Sequence, residues 1–200
     1  KSQIVTSMNP LAQFLKLRQV NGSPELVDDN LKVDSNYLKC NAKLQALLEV
    51  LNEISERNEK VVVFSNWVEP LRTLYKFVSQ RYNVCCFTGT MTEDVRQQHK
   101  RVFQTNPKYT VMLGTIGALG TTHTLTAAND IVFYDEPWTP TDKQQAEDRV
   151  HRIGTTKSVN IYTLLSRGTI DDRVHSILYN KQLISKYIVD NKLDIQNNPE

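Results

Sequence analysis

The sequence predicts an α/β fold in which a parallel sheet is covered by helices on both faces. Three observations lead there. Short apolar runs recur along the chain: VVVF at 61–64, NVCCF at 83–87, YTVML at 109–113, IVFYD at 131–135 and VNIYTLL at 159–165. Runs this short, without polar alternation, suit strands buried on both sides. Between them the apolar residues return to helical spacing, and strands that alternate with helices call for crossover connections and parallel pairing. Finally, 200 residues that are 40% hydrophobic and 23% charged can build one well-buried α/β domain, or one domain with an appendage.

Each element has its own signal. A first helix is expected to start at Asn9 with Pro10 as its first helical residue, because proline's fixed φ fits a first turn whose N–H groups lack helical partners anyway. It stops near Asn21-Gly22, and the polar stretch from 21 to 39 reads as a loop or linker. In NAKLQALLEVLNEISERNE, Leu44, Leu47, Leu48, Leu51 and Ile54 form one apolar helical stripe. Val68, Leu71, Leu74, Tyr75 and Val78 mark the next helix, and another runs from about Thr92 to Gln104. A helix bearing the two arginines, Arg149 and Arg152, follows IVFYD. The last begins at Thr169, with Asp172 in its first turn, where the helix dipole favours negative charge. Its apolar residues, among them Ile170, Val174, Ile177, Leu178 and Ile184, suit packing on the domain, and the polar tail beyond Asp190 is expected to fray. In such sheets ligands gather after the carboxyl ends of the strands, which directs attention to 65–67, 88–91, 114–122 and 136–140.

The net charge of +2 confines any basic surface to a local patch. No apolar run approaches the length of a membrane span and the start shows no signal-peptide pattern, so no membrane partner is expected. A first residue of Lys1 is what a piece of a longer chain would show. Cys40, Cys85 and Cys86 lack metal-ligand spacing, and the adjacent pair inside an apolar run reads as small buried thiols of a reducing compartment.

The chemistry concentrates in QQAEDRVHRIG, residues 144 to 154. Arg149 and Arg152, three apart, lie on one face if the stretch is helical, and two permanent charges side by side call for an anion in front of them. Phosphate fits, because the planar guanidinium matches its oxygens. Yet none of the seven glycines is followed by lysine, so the phosphate-binding loop GxxxxGK[ST] is absent. IVFYDE imitates the strand that ends in magnesium-holding carboxylates, but without that loop Asp135 and Glu136 read as a polar strand end, and no metal site is expected. Charge-stabilising arginines without a phosphate loop make sense as one half of a split site.

Residues 41 to 178 resemble the second RecA-like lobe of Swi/Snf-type ATPases of helicase superfamily two. The blocks stand in order: KVVVFSNW resembles motif IV, and FTGTMTEDVRQQHKRVFQ the loop and helix after the second strand. LGTIGALGTTHTLTAAND resembles motif V, DEPWTP the Trp-Asn-Pro segment, and QAEDRVHRIG motif VI. FLKLRQVNGSPELV is similar to the family's connection out of lobe one. Departures are Thr155 after HRIG, Thr139 where asparagine is commoner, and TTHT at 121–124, which resembles one branch alone.

The resemblance implies a RecA-like helicase C-terminal lobe over 41–168, preceded by the end of an interlobe connection over 1–40 and followed by a helix and polar tail over 169–200. It places Arg149 and Arg152 facing a γ-phosphate, with Arg152 as the arginine finger; the competing reading of Arg152 is an ion pair with Glu147 or Asp148. Gln145 would order the interlobe cleft, Gly117 and Gly120 would let the motif V backbone approach nucleotide or DNA, and His151 would be a hydrogen-bonding scaffold. Thr88, Gly89 and Thr90, with Thr115, Thr121 and Thr122, offer hydroxyl and N–H groups to a DNA backbone, although helix capping explains Thr92 equally well. Trp67 and Trp138 either pack nucleic acid or cover the domain's edge.

The implied cofactor is ATP with Mg, held mainly by an absent first lobe; the implied partners are that lobe and double-stranded DNA. The chain alone is expected to hydrolyse nothing, and to work inside the cell, cytoplasmic and nucleoid-associated if its source is bacterial or phage. The alternatives are a lobe of a strand-separating helicase and a RecA-like module that binds nucleic acid or a partner without catalysis.

Overall fold

The computed structural model describes residues 9–27, 31–34, 36–119, 125–151 and 158–197. Helix α1 spans Pro10–Gly22, α2 Tyr37–Cys40 and α3 Ala42–Glu56. The α/β part runs β1 (Val61–Ser65), α4 (Val68–Val78), β2 (Asn83–Phe87), α5 (Glu93–Thr105), β3 (Tyr109–Thr115), α6 (Ile116–Leu119), β4 (Asp130–Phe133), α7 (Pro140–Val150) and β5 (Asn160–Thr163), and α8 (Ile170–Asn197) follows. The five strands pair in parallel in the order β2-β3-β1-β4-β5.

Successive side chains of β1 serve opposite faces. Val61 and Val63 meet the α3 stripe and Leu71, Leu74 and Phe77 of α4; Val62 and Phe64 meet Phe103 of α5 and Ala146 and Val150 of α7. All five predicted residues of the α3 stripe are buried. On α4 the inward position is Phe77, stacked 5.9 Å from Tyr37, whereas Tyr75 faces solvent. The predicted doubly buried character holds for β1, β3 beyond Thr110, and β4, but β2 and β5 are edges and keep partly exposed residues.

Two stretches differ from expectation. Within 21–39, Pro24–Leu26 form a 3₁₀ turn and α2 follows, because Tyr37 is drawn into the core, where its hydroxyl donates to Glu25. Asn41 then caps α3 by accepting from the Leu44 N–H at 2.9 Å, and its amide donates to the Gly22 carbonyl at 3.2 Å. At the far end, α8 extends to Asn197, beyond Asp190, where a polar tail was expected. It also outgrows the domain: at 28 residues it is about 42 Å long, and while Val174 and Leu178 are buried, Ile177 and Ile184 are exposed.

A buried ionic knot joins α3, the end of β4 and α8. The Lys43 ammonium lies 2.7 Å from Asp171 and 4.0 Å from Asp135, with all three side chains almost fully buried. Desolvation pushes the Asp135 carboxyl's pKa up, and the nearby Lys43 pulls it back. A raised folded-state pKa contributes stability that is full below the unfolded value and lost as pH rises through the folded one. Lys43→Met should therefore cost about 3–5 kcal/mol near neutral pH and less in acid, where Asp135 is protonated; urea unfolding across pH measures it.

Burial pushes the Cys85 and Cys86 thiols up to about 11, whereas Cys40 is exposed. A thiol-disulfide reagent at about pH 8 should find one fast-reacting thiol in the folded chain and all three cysteines after denaturation.

Candidate functional site

The parallel strands send every loop that follows them to one pole of the sheet. There Phe87 and Phe64 both pair with Gly114, and Ser65 pairs with Thr115, so Thr88, Thr115 and Ser65 line up on three neighbouring strand ends. Thr88 is buried, and its hydroxyl lies 3.0 Å from that of Thr90 across the exposed Gly89. The Met91 N–H closes this turn on the Thr88 carbonyl at 3.2 Å. Thr92 occupies the N-cap of α5 without a side-chain capping bond, while Glu93 and Asp94 take the favourable first turn. An anion here would therefore meet the Thr88–Thr90 turn rather than the helix end itself. Beside it, the His99 Nδ1 accepts from the Cys86 N–H at 3.0 Å on the outer edge of β2. A groove of about 600 Å³ runs along that edge with Thr88 and Thr90 on its rim.

Gly117 stands in α6, directly after Thr115. A Cβ added to Gly117 or to Gly89 would meet no atom within 4 Å, so the space in front of both backbones is open.

Helix α7 runs back from this pole against the strand direction. Its Lys143 ammonium lies 3.4 Å from the Thr163 hydroxyl at the carboxyl end of β5, and its last turn reaches the segment before β4, where the Leu125 N–H donates to the Arg149 carbonyl at 2.8 Å. Ala146 and Val150 face the core, while Gln145 and the half-buried Arg149, four residues apart, share another face. Thr88, Thr90 and Thr115 thus stand at the pole where α7 starts, and Arg149 at its far end. Desolvation pushes the neighbouring Glu147 carboxyl's pKa up, with Lys143 opposing. His151 is exposed and ends the helix through its N–H, which donates to the Glu147 carbonyl at 2.8 Å. Arg152, Gly120, Thr121 and Thr122 lie outside the described residues.

The carboxylates after β4 are engaged within the fold. Asp135 accepts from the Ser65 hydroxyl at 2.5 Å as well as facing Lys43. The Glu136 carboxylate lies 3.3 Å from Lys143 and 3.3 Å from His175. Among the described residues no group of three or more His, Cys, Asp or Glu is placed to hold a metal ion.

Sequence reasoning missed the arrangement next to them. Arg18 of α1 is 3% exposed and its guanidinium lies 4.1 Å from the Trp138 ring and 5.4 Å from the Trp67 ring, with the two indoles edge to face. It donates to the Glu136 carbonyl, which also accepts from the Asn66 amide at 2.7 Å. The tryptophans therefore enclose an arginine from α1. Burial lowers the pKa of Arg18, and Asp135, Asp171 and Glu136 oppose that shift. No periodicity announces an inward arginine on a short helix; the pair of tryptophans in strand-end loops was the available signal.

Comparison with known proteins agrees with this architecture. The family described as "Helicase conserved C-terminal domain" matches residues 42–154, more than half of the chain. The chromatin-remodeling ATPase INO80 of Neurospora crassa is 31% identical over 163 residues, 80% of this chain and 8% of that protein. Human lymphoid-specific helicase is 32% identical over 164 residues, 82% of this chain and 20% of that protein. The chain thus spans a small fraction of the curated relatives it matches. Among solved structures, the Sulfolobus solfataricus SWI2/SNF2 ATPase core in complex with dsDNA superposes with a TM-score of 0.73 at 26% identity, covering 90% of this chain and 37% of that one. The C-terminal part of the Fun30 ATPase domain gives 0.69 at 27% identity, covering 82% of this chain and 54% of that one. The chain accordingly belongs to the helicase conserved C-terminal domain family and is a RecA-like C-terminal lobe of the Swi/Snf type.

Proposed function

We propose that this lobe is half of an ATP-dependent translocase on double-stranded DNA. The observation that carries the reading is the separation of two kinds of group by the length of α7: neutral hydroxyl and backbone donors at the carboxyl pole, and the arginine-bearing turn at the other end. Neutral donors on loops suit a sugar-phosphate backbone that is gripped without regard to sequence. Arginines suit the charge that spreads over a transferring γ-phosphoryl group. With the two apart, nucleotide chemistry and DNA grip proceed at once, and lobe closure on ATP and reopening after hydrolysis become steps along the duplex.

In this reading a first lobe binds the ATP phosphates and Mg, and this lobe supplies Arg152 as the finger with Arg149 beside it. Gln145, on the Arg149 face of α7, orders the cleft between the lobes. Thr88, Gly89, Thr90, Thr115, Thr121 and Thr122 face the DNA backbone, and Gly117 and Gly120 admit it closely. The relatives support the pairing: two are named as a chromatin-remodeling ATPase and a helicase, and one structural neighbour is a core bound to dsDNA.

The test is ATPase activity of the complete two-lobed protein with and without duplex DNA. Duplex should stimulate turnover and Arg152→Ala should lower it by about 10³-fold or more, while the 200-residue chain alone should turn over nothing. An Arg152→Ala protein as fast as wild type would sink the finger assignment.

Gly117→Ala tests the DNA side separately. Its Cβ enters open space, so the unfolding midpoint should hold, while half-maximal stimulation should need about ten-fold more DNA, the equivalent of ~1.4 kcal/mol. Unchanged stimulation would remove Gly117 from the interface.

A further inference from the structure

We propose that Arg18 is a positioning residue for the arginine-bearing helix, locking the segment that enters the lobe through α1 to the turn from which α7 starts. The inference rests on the nucleotide role proposed above for the far end of α7.

The path is short and each link is a named contact. The Arg18 guanidinium lies against Trp138 and donates to the Glu136 carbonyl, so it holds both ends of the Glu136–Trp138 turn. Asn66, from the loop after β1, donates to the same carbonyl. The next residue, Thr139, is the N-cap of α7: its hydroxyl accepts from the Asp142 N–H at 3.0 Å and donates to the Asp142 carboxylate at 2.8 Å. Pro140 then opens a helix of 11 residues that carries Gln145 and Arg149. Such a rod is about 16 Å long, so a tilt of about 4° at its start moves its far end by roughly 1 Å. A misplacement of that size can cost about 10²-fold in rate.

Simple anchoring of α1 does not require this residue. The end of α1 is already held elsewhere: the Gly22 carbonyl accepts from the Tyr134 hydroxyl at 2.7 Å and from Asn41, and the Asn21 amide donates to Thr169 at 3.0 Å. Burying a guanidinium is a costly way to add one more anchor. What arginine offers here is a planar face for the indoles together with N–H donors for the carbonyl, a combination that lysine lacks.

The experiment compares Arg18→Lys with wild type in the complete two-lobed protein, with Arg152→Ala in parallel. DNA-stimulated kcat should fall about 10- to 100-fold, with KM for ATP and half-saturating DNA within about three-fold. In the 200-residue chain, whose only two tryptophans are Trp67 and Trp138, indole emission should change with the substitution. An unchanged kcat, an unchanged emission, or a kcat loss matched by equal losses in KM and DNA affinity would each overturn the inference. If Arg18→Lys fails to fold, Trp138→Leu loosens the same turn and must give the same split between kcat and KM. Full turnover in Arg152→Ala would overturn the finger reading itself; an inactive Arg152→Ala beside a fully active Arg18→Lys would overturn the positioning role alone.

Discussion

Parallel pairing of β1 between β3 and β4 governs most of what this lobe can do. A parallel neighbour cannot be reached by a hairpin, so each connection must cross the sheet and return, and each strand releases its loop at the same pole. Thr88, Thr115, Asn66 and the Glu136–Trp138 turn meet there although they are far apart in sequence. The same rule sends α7 to the other pole with Arg149 on its last turn. The hydroxyl-bearing strand ends and the arginine-bearing turn are kept apart by the topology itself.

That arrangement creates a problem at the carboxyl pole, where polar strand ends are packed under helices. The structure solves it with pairing inside the fold. Lys43 answers Asp135 and Asp171, Ser65 donates to Asp135, and Lys143 and His175 flank Glu136. Buried charges like these are destabilising unless paired, which makes them specific: α1, α3, α7 and α8 each have one seating that forms these contacts, which leave only the Glu136 Oε2 of this set buried without a hydrogen-bond partner. A strand end that resembles a magnesium site serves here as the junction of four helices.

How much of this was legible in the sequence follows from which signals are local. The α3 stripe, the Pro10 start of α1 and the strand runs are set by periodicity and proline geometry within a few residues, and each stands where those signals put it. Tyr75 and Phe77 could not be sorted, because both lie near the apolar face of α4 and Tyr37, from a distant helix, decides which one is covered. The stretch 21–39 looks polar, yet Glu25 and Tyr37 acquire meaning by meeting each other and Asn41. In the candidate site, the hydroxyl loops follow from strand ends and motif order. Arg18 does not, because its partners, Trp67 and Trp138, come from two other loops.

The overshoot of α8 sets up a gradient of order along a single element. Near Val174 and Leu178 the helix is held by the domain, but isolated helical turns are marginal in water, and Leu183, Ile184, Tyr187 and Ile188 face solvent. Amide exchange along α8 would therefore grade from the protection of a packed core to that of a free peptide within a few turns. Anything that covers the Ile184 and Tyr187 side would move that boundary toward Asn197, so the helix records its own coverage as a length.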